Sequence, residues 1–401
     1  MLAALTACNK ESAKTNAGSQ ESQSVTDMIT ENGSNPDELM MTTSAEGKAV
    51  MTETNSVNDR RSQEGHYLYT ETNEAGVNQI YYYKVRNDGS LSFQGAVSSG
   101  GAGTGAGLGS QGAVKLSEDH EWLFAVNAGG NSVSSFKVHN DGSLSLAHTE
   151  NSDGKMPVSV SVHDHLLYVL NFGTDNIHGF LIGSGGALTH IEGSTKQLSG
   201  SGVVAPQISF TPNGNWILVT EKATNKISSF KLNGDGSVEE DVASASTGET
   251  PFGFDFGREG AMIVSNAAGG AAGAGSATAY LIAGNGTPHA VNGAVANSQS
   301  APCWVATTQF GRFAFVSNTG SNTISSYYIA PGGYLFLVDK AAAPTGNSPA
   351  DIVVAKNNYH VFALTSKSGT IGEFRRKFFG GLDNIGSVSG LPASAAGLTI
   401  F

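Results

Sequence analysis

The 401-residue chain is poor in charge, in cysteine and in long apolar runs. Charged residues are only 14% of it, far below the density that helical bundles and coiled coils require. With two cysteines, Cys8 and Cys303, at most one disulfide can form, so this is no disulfide scaffold. No run of about 18 apolar residues exists to cross a membrane as a helix. Cations are scarce too: 22 Lys and Arg face 34 Asp and Glu, for a net charge of −12. A protein that grips nucleic acid needs a basic face for the phosphates, so nucleic acid is not expected as a partner. Aromatic residues are missing from the first 66 positions, and all 19 Phe, 3 Trp and 11 Tyr lie at or beyond Tyr67.

What is present divides the chain in three. Residues 9–64 are rich in Ser, Thr, Asn, Gln and Glu. Such a segment buries too little apolar surface to offset its conformational entropy and is expected to be a disordered tether. Before it, Leu5-Thr6-Ala7-Cys8 closes a short apolar run and resembles the lipobox of bacterial lipoproteins. That resemblance implies that residues 1–8 are a signal remnant, with Cys8 acylated as the mature N-terminus. It also implies a lipid-anchored place in the bacterial cell envelope, at the outer membrane or the periplasmic face, and a membrane contact only through that anchor. Residues 65–401 are the compact body.

That body repeats. A turn signature appears at Asn87-Asp88-Gly89-Ser90-Leu91, Asn140-Asp141-Gly142-Ser143-Leu144, Ser184-Gly185-Gly186-Ala187-Leu188 and Gly234-Asp235-Gly236-Ser237-Val238, with weaker copies at Gly286, Gly333 and Gly381. Asp-Gly between alternating apolar stretches supplies the positive φ of a tight hairpin. Out of phase with it, apolar strands end in Glu71, Asn127, Asn171, Glu221, Asn266, Asn318 and Thr365. A third column sets Pro157, Pro206, Pro251, Pro302 and Pro349 before a strand, where a missing N–H costs least. Four short strands in each of seven repeats predict an all-β, seven-bladed β-propeller with four antiparallel strands, A to D, per blade. The first repeat lacks strand A, and the orphan strand at Ala396 to Phe401 is expected to supply it and close the ring.

Longer motifs carry a specific resemblance. Gly107-Leu108-Gly109-Ser110-Gln111-Gly112, Phe124-Ala125-Val126-Asn127, Val219-Thr220-Glu221-Lys222, Pro251-Phe252-Gly253-Phe254 and Ala301-Pro302-Cys303-Trp304 resemble the lactonase-type seven-bladed propellers, the superfamily of 6-phosphogluconolactonase and carboxymuconate cyclase. The resemblance spans about residues 65–401. It implies a functional site on the face where the D–A and B–C connections meet, here the top face. Sugar-phosphate lactonases carry His and Arg at strand starts around that face. Ala205-Pro206-Gln207 and Thr250-Pro251-Phe252 stand there instead.

Antiparallel geometry brings the Pro column and the Asn/Glu column to that same end of each blade. The candidate ligand-binding residues are therefore Gln111, Asn127, Asn171, Gln207, Phe252, Asn266, Cys303, Trp304 and Asn318. Carboxamides beside an aromatic wall suit a neutral polar ligand such as a sugar or a lactone, whereas a phosphate calls for bidentate Arg. Repeated Asn at strand ends equally fits local turn capping, and Cys303 equally fits a small buried hydrophobe. For hydrolysis, Glu221 or Asp351 is the candidate base and Lys222 the candidate catalytic cation, with Gln207 as a further donor. No metal and no cofactor are expected. His163-Asp164-His165 falls in an A–B hairpin at the far end, and the glycine run from Gly100 to Gly107 carries no phosphate-loop signature and reads as an insertion over the top face. Two functions remain: a monomeric, exported propeller that binds a small polar ligand or a partner, favoured by the missing His and Arg, and a lactone hydrolase with Glu221 as base.

Overall fold

The computed structural model describes residues 66–401, together with the backbone of residues 40–43 and 49–52. The candidate lipidation site Cys8 lies outside the described residues. In the segment read as a tether, Met40–Thr43 and Ala49–Thr52 pair as an antiparallel ribbon. A two-stranded ribbon by itself is marginally stable.

Residues 66–401 form seven four-stranded antiparallel blades in sequence order, the seven-bladed β-propeller that the repeats predict. Blade 4 is representative: strand A is Gln207–Phe210, B is Trp216–Glu221, C is Lys226–Leu232 and D is Val238–Ala245. Strand B is buried along its whole length, whereas D after Val238 is exposed, with half-buried and exposed positions alternating over its last residues. This is why the inner strands read as apolar runs and the outer ones as alternating. Blade 3 departs from the pattern. Its outer strand is split into Leu188–His190 and Lys196–Gln197, because Ser194 Oγ accepts the Gly179 N–H at 3.0 Å in place of a ladder carbonyl.

The turn signature is explained by its own side chain. Asp88, Asp141 and Asp235 each accept the N–H of the serine two residues on, at 2.9, 3.0 and 2.9 Å, an Asx turn that leaves the glycine between them at positive φ. The glycines at this C–D corner have φ between 76° and 87° in all seven blades. In the seventh blade the residue is Gly380, one position before the Gly381 that the repeat spacing marks.

The ring closes as expected. Ala396–Ile400 pairs with His66–Glu71 and becomes strand A of blade 1. Closure is reinforced where the inner strands meet across blades. Their inward edges carry N–H groups with no ladder partner, and polar side chains from the preceding blade accept them. Ser159 Oγ accepts Ile208 N at 3.2 Å, Gln207 Oε1 accepts Phe254 N at 2.7 Å, and Asp255 Oδ2 accepts Thr307 N at 2.8 Å. Asp351 Oδ2 accepts Leu398 N at 2.8 Å, and Thr399 Oγ1 accepts Leu116 N at 3.4 Å. The channel wall is thus stitched by side chains rather than by strand pairing.

Candidate functional site

Strand B ends and strand A begins at the top of each blade, so the candidate residues do gather on one face. They divide into two groups there. Asn127, Asn171, Glu221, Asn266 and Asn318 are buried and turned into their own blades. Asn127 Nδ2 donates to Ser132 and Ser134, and its Oδ1 accepts from Ser99 and Asn78. Asn266 Nδ2 donates to Ser276 and Thr278, Asn318 Nδ2 donates to Thr323 and Ser325, and Asn171 Nδ2 donates to Ser152 O. The column therefore fastens strand C or the incoming D–A loop, as the capping alternative expects.

Glu221 is the charged version of this fastener. Its carboxylate accepts Ser199 N at 3.1 Å, Ser199 Oγ at 2.5 Å, Thr224 Oγ1 at 2.6 Å and Ser228 Oγ at 2.6 Å. Those four donors match the four lone-pair sites of a carboxylate, leaving none for a water. Glu221→Gln presents an NH2 group to hydroxyl and amide donors, and we expect a loss of about 2–4 kcal/mol in chemical denaturation. The same variant should keep at least half of any turnover; loss of turnover without loss of stability would restore Glu221 as the base.

The second group surrounds a strap. Residues Leu108 to Gly112, leading from blade 1 into blade 2, lie across the channel mouth rather than above it. Ser110 Oγ donates to Val158 O at 2.7 Å in blade 3, and Gln111 N donates to Pro206 O at 3.0 Å at the start of blade 4. The Gln111 amide pairs with both backbone groups of Val305 in blade 6, at 2.6 and 3.1 Å, and Trp304 Nε1 donates to Ser110 O at 2.9 Å. A Cβ on Gly253 would sit 2.3 Å from Gln111 Oε1, so glycine there leaves room for the strap. Lys222 Nζ lies 3.5 Å from Gly109 O and 4.2 Å from the centre of the Phe252 ring. Phe252 and Trp304 are 5.3 Å apart and buried.

Gln207 sits in the channel wall, where its amide pairs with both backbone groups of Phe254. Cys303 is fully buried and its Sγ donates to Ala301 O at 3.2 Å, as a small buried residue does. Asp351 is buried in blade 7, with Oδ1 accepting its neighbour Ile352 N and Oδ2 accepting Leu398 N, both at 2.8 Å. Burial pushes its carboxyl up to about 7, against the lowering effects of these backbone bonds, of Lys115 and of a bond from the strap's Gly112. Gly112 follows Gln111, so the strap that Lys222, Phe252 and Trp304 surround also borders Asp351 at its Gly112 end.

Sequence reasoning missed the stitching residues Ser159, Asp255 and Thr399, and it missed Glu71, which ends strand B of blade 1. Glu71 is fully buried, has Asn78 Nδ2 at 3.2 Å as its one hydrogen-bond donor among the described residues, and is raised well above the usual carboxyl range by burial. The strand-end column did contain it. His163-Asp164-His165 lies in the A–B hairpin on the bottom face, where His163 Nδ1 meets Glu118 at 2.8 Å. Among the described residues no group of three or more His, Cys, Asp or Glu could hold a metal.

Comparison with known proteins agrees with this geometry. A family model described as Lactonase, 7-bladed beta-propeller, matches residues 102–205, from the strap through blades 2 and 3 to the start of blade 4. No curated protein matches the chain. The crystal structure of a putative 6-phosphogluconolactonase from Bacteroides fragilis superposes with a TM-score of 0.68 at 19% identity, covering 86% of this chain and 100% of that one. The periplasmic gluconolactonase of Pseudomonas aeruginosa gives 0.67 at 17% identity, covering 84% and 99%. At such identities these likenesses show the fold.

Proposed function

We propose that the propeller hydrolyses a neutral lactone at its top mouth, with Asp351 as general base and Lys222 as the cation facing the developing oxyanion. The observation that carries this reading is Asp351 itself. Elsewhere around the channel the same stitch is made by the neutral side chains of Ser159, Gln207 and Thr399 and by Asp255, which is only half-buried, whereas Asp351 is fully buried. A fully buried carboxyl is far costlier than a hydroxyl, and one poised near 7 suits proton abstraction at physiological pH. The lactonase family model and the gluconolactonase among the fold neighbours support turnover over binding alone, the reading that the missing His and Arg favoured.

In the proposed step, the Asp351 carboxylate takes a proton from a water as the water oxygen bonds to the lactone carbonyl carbon. The Lys222 ammonium stabilises the oxyanion. The ring C–O bond then breaks, the alkoxide takes up a proton, and a hydroxy acid leaves, releasing one proton to solvent above the acid's own pKa. The strap covers this site, and its Gln111-Gly112 end, which borders Asp351, is the part that has to lift for a lactone to reach that carboxyl.

Substrate charge follows from where the arginines are. Every arginine among the described residues, Arg86, Arg258, Arg312, Arg375 and Arg376, lies at an A–B or C–D corner on the bottom face. Without a guanidinium at the top, a phosphorylated substrate lacks its bidentate partner. Proton release on a panel of aldonolactones should show a preference of at least about tenfold for the neutral compound over its phosphate ester. A rate equal to uncatalysed hydrolysis for every lactone would reject the proposal and leave the binding reading. The lipobox-like run ending in Cys8 supports an envelope location, which mass spectrometry of Cys8 from the native host tests.

A further inference from the structure

We infer that the bottom face of blades 6 and 7 docks on an anionic lipid surface. The observation is a cluster of large apolar side chains held out at neighbouring turns. Phe378 and Phe379, at the C–D corner of blade 7, are 57% and 55% exposed, and Phe310, at the A–B turn of blade 6, is 60% exposed. Tyr359, at the A–B turn of blade 7, is 41% exposed. These turns form one surface. Gln309 N donates to Asn358 Oδ1 at 2.5 Å, which joins the two A–B turns. The Arg376 guanidinium lies 5.3 Å from the Phe313 ring and 5.4 Å from the Tyr359 ring, and donates to the carbonyls of Asn358, Lys377 and Phe378.

Two vicinal phenylalanines at a hairpin tip are not needed for the turn, which Gly380 at φ 86° already allows. Their exposure is unfavourable in water and favourable at a bilayer interface. Charge selects the surface. The chain as a whole carries −12, yet the corners of blade 7 hold Lys356, Arg375, Arg376 and Lys377 against Asp383, which pairs with Lys377 at 2.8 Å. Cations ringing aromatic tips are complementary to anionic headgroups, not to another copy of an acidic protein. Chain direction adds an independent argument. Strand B of blade 1 starts at His66 on this same bottom face, so the segment before it, with the acylation expected at Cys8, joins the propeller on the side facing the lipid. The top mouth then faces away from the bilayer, toward soluble substrate.

The test uses the full chain carrying Cys8→Ser, so that no acyl anchor contributes, in sedimentation with phosphatidylglycerol-containing vesicles and with pure phosphatidylcholine vesicles. Binding should appear with the anionic vesicles and weaken as salt rises. Phe378→Ser with Phe379→Ser should weaken it by about tenfold or more, and Arg375→Gln with Lys377→Gln should remove the preference for anionic lipid. All four positions are exposed, so melting temperatures should stay within a few degrees of the parent. Equal binding to both vesicle types, or unchanged binding by the Phe double variant, overturns the inference. So does a concentration-dependent dimer, without vesicle binding, that the Phe double variant abolishes.

Discussion

Asp351→Asn should lower lactone turnover by about 10²- to 10⁴-fold, the range a positioned general base contributes. The parent's kcat/KM should rise about tenfold per pH unit below about 7 and level off above it, since burial holds the carboxyl near that value. The variant should have no such limb. Stability gives a second readout with an opposite trend. The carboxyl's ordinary value is 3.8 and burial raises it to about 7 in the folded state, so the folded chain binds a proton that the unfolded chain has released. The stabilisation from this group is complete below the unfolded value and is lost as pH climbs through 7. Three units correspond to about 4 kcal/mol at most. His178 works the other way. Burial lowers it to about 4 from 6.5, so its contribution is lost as pH falls through that window. The difference between parent and Asp351→Asn melting curves isolates the aspartate. Asparagine retains one of the two acceptors and turns an NH2 toward Ile352 N or Leu398 N, a cost of about 1–3 kcal/mol that does not vary with pH. Parallel curves from pH 4 to 8, with turnover intact, would place Asp351 among the structural stitches and nothing more.

The fold was legible because a propeller writes its period into the sequence several times over. The Asp-Gly corner, the apolar strand B and the Pro before strand A each recur, and each has a local cause: an Asx turn, burial on both faces, and an absent N–H at a strand start. The site was less legible. The Asn column shows the same chemistry whether it faces a ligand or fastens its own blade, and only the positions of Ser132, Ser134, Ser276 and Thr278 decide between them. Gln207 and Asp351 look like pocket residues in sequence because they stand at the right end of strand A. Their partners, Phe254 and Leu398, belong to the next blade around the ring, and no local pattern announces a contact 47 residues away. The glycine run was read as a cover over the top face. Its continuation at Ser110 and Gln111 instead bonds to blades 3, 4 and 6 within the mouth, a path set by the whole ring.

Ending the chain at Ala395 should cost more stability than any single substitution in the propeller. The six residues removed form strand A of blade 1, pairing Leu68 with Ile400, Tyr69 with Thr399 and Glu71 with Ala396. Leu398 is 3% exposed, and loss of a buried leucine side chain alone costs about 2–5 kcal/mol. The stack of Phe401 on Tyr69 at 6.2 Å and the stitches from Leu398 N to Asp351 and from Leu116 N to Thr399 go with it. What remains is a buried carboxyl without one of its donors and an open edge along His66–Glu71 that can pair with another chain. The sum is comparable with the ~5–15 kcal/mol by which a domain is stable at all. The truncated chain should therefore melt at least ~10 °C lower and associate as its concentration rises. A synthetic peptide of residues 396–401 added in trans should restore the monomer, because the groove between blades 7 and 2 is otherwise complete. Closure by strand pairing predicts that rescue; if the truncated chain melted with the parent, blade 1 would be held by its neighbours' packing and the terminal strand would be an ornament on its edge.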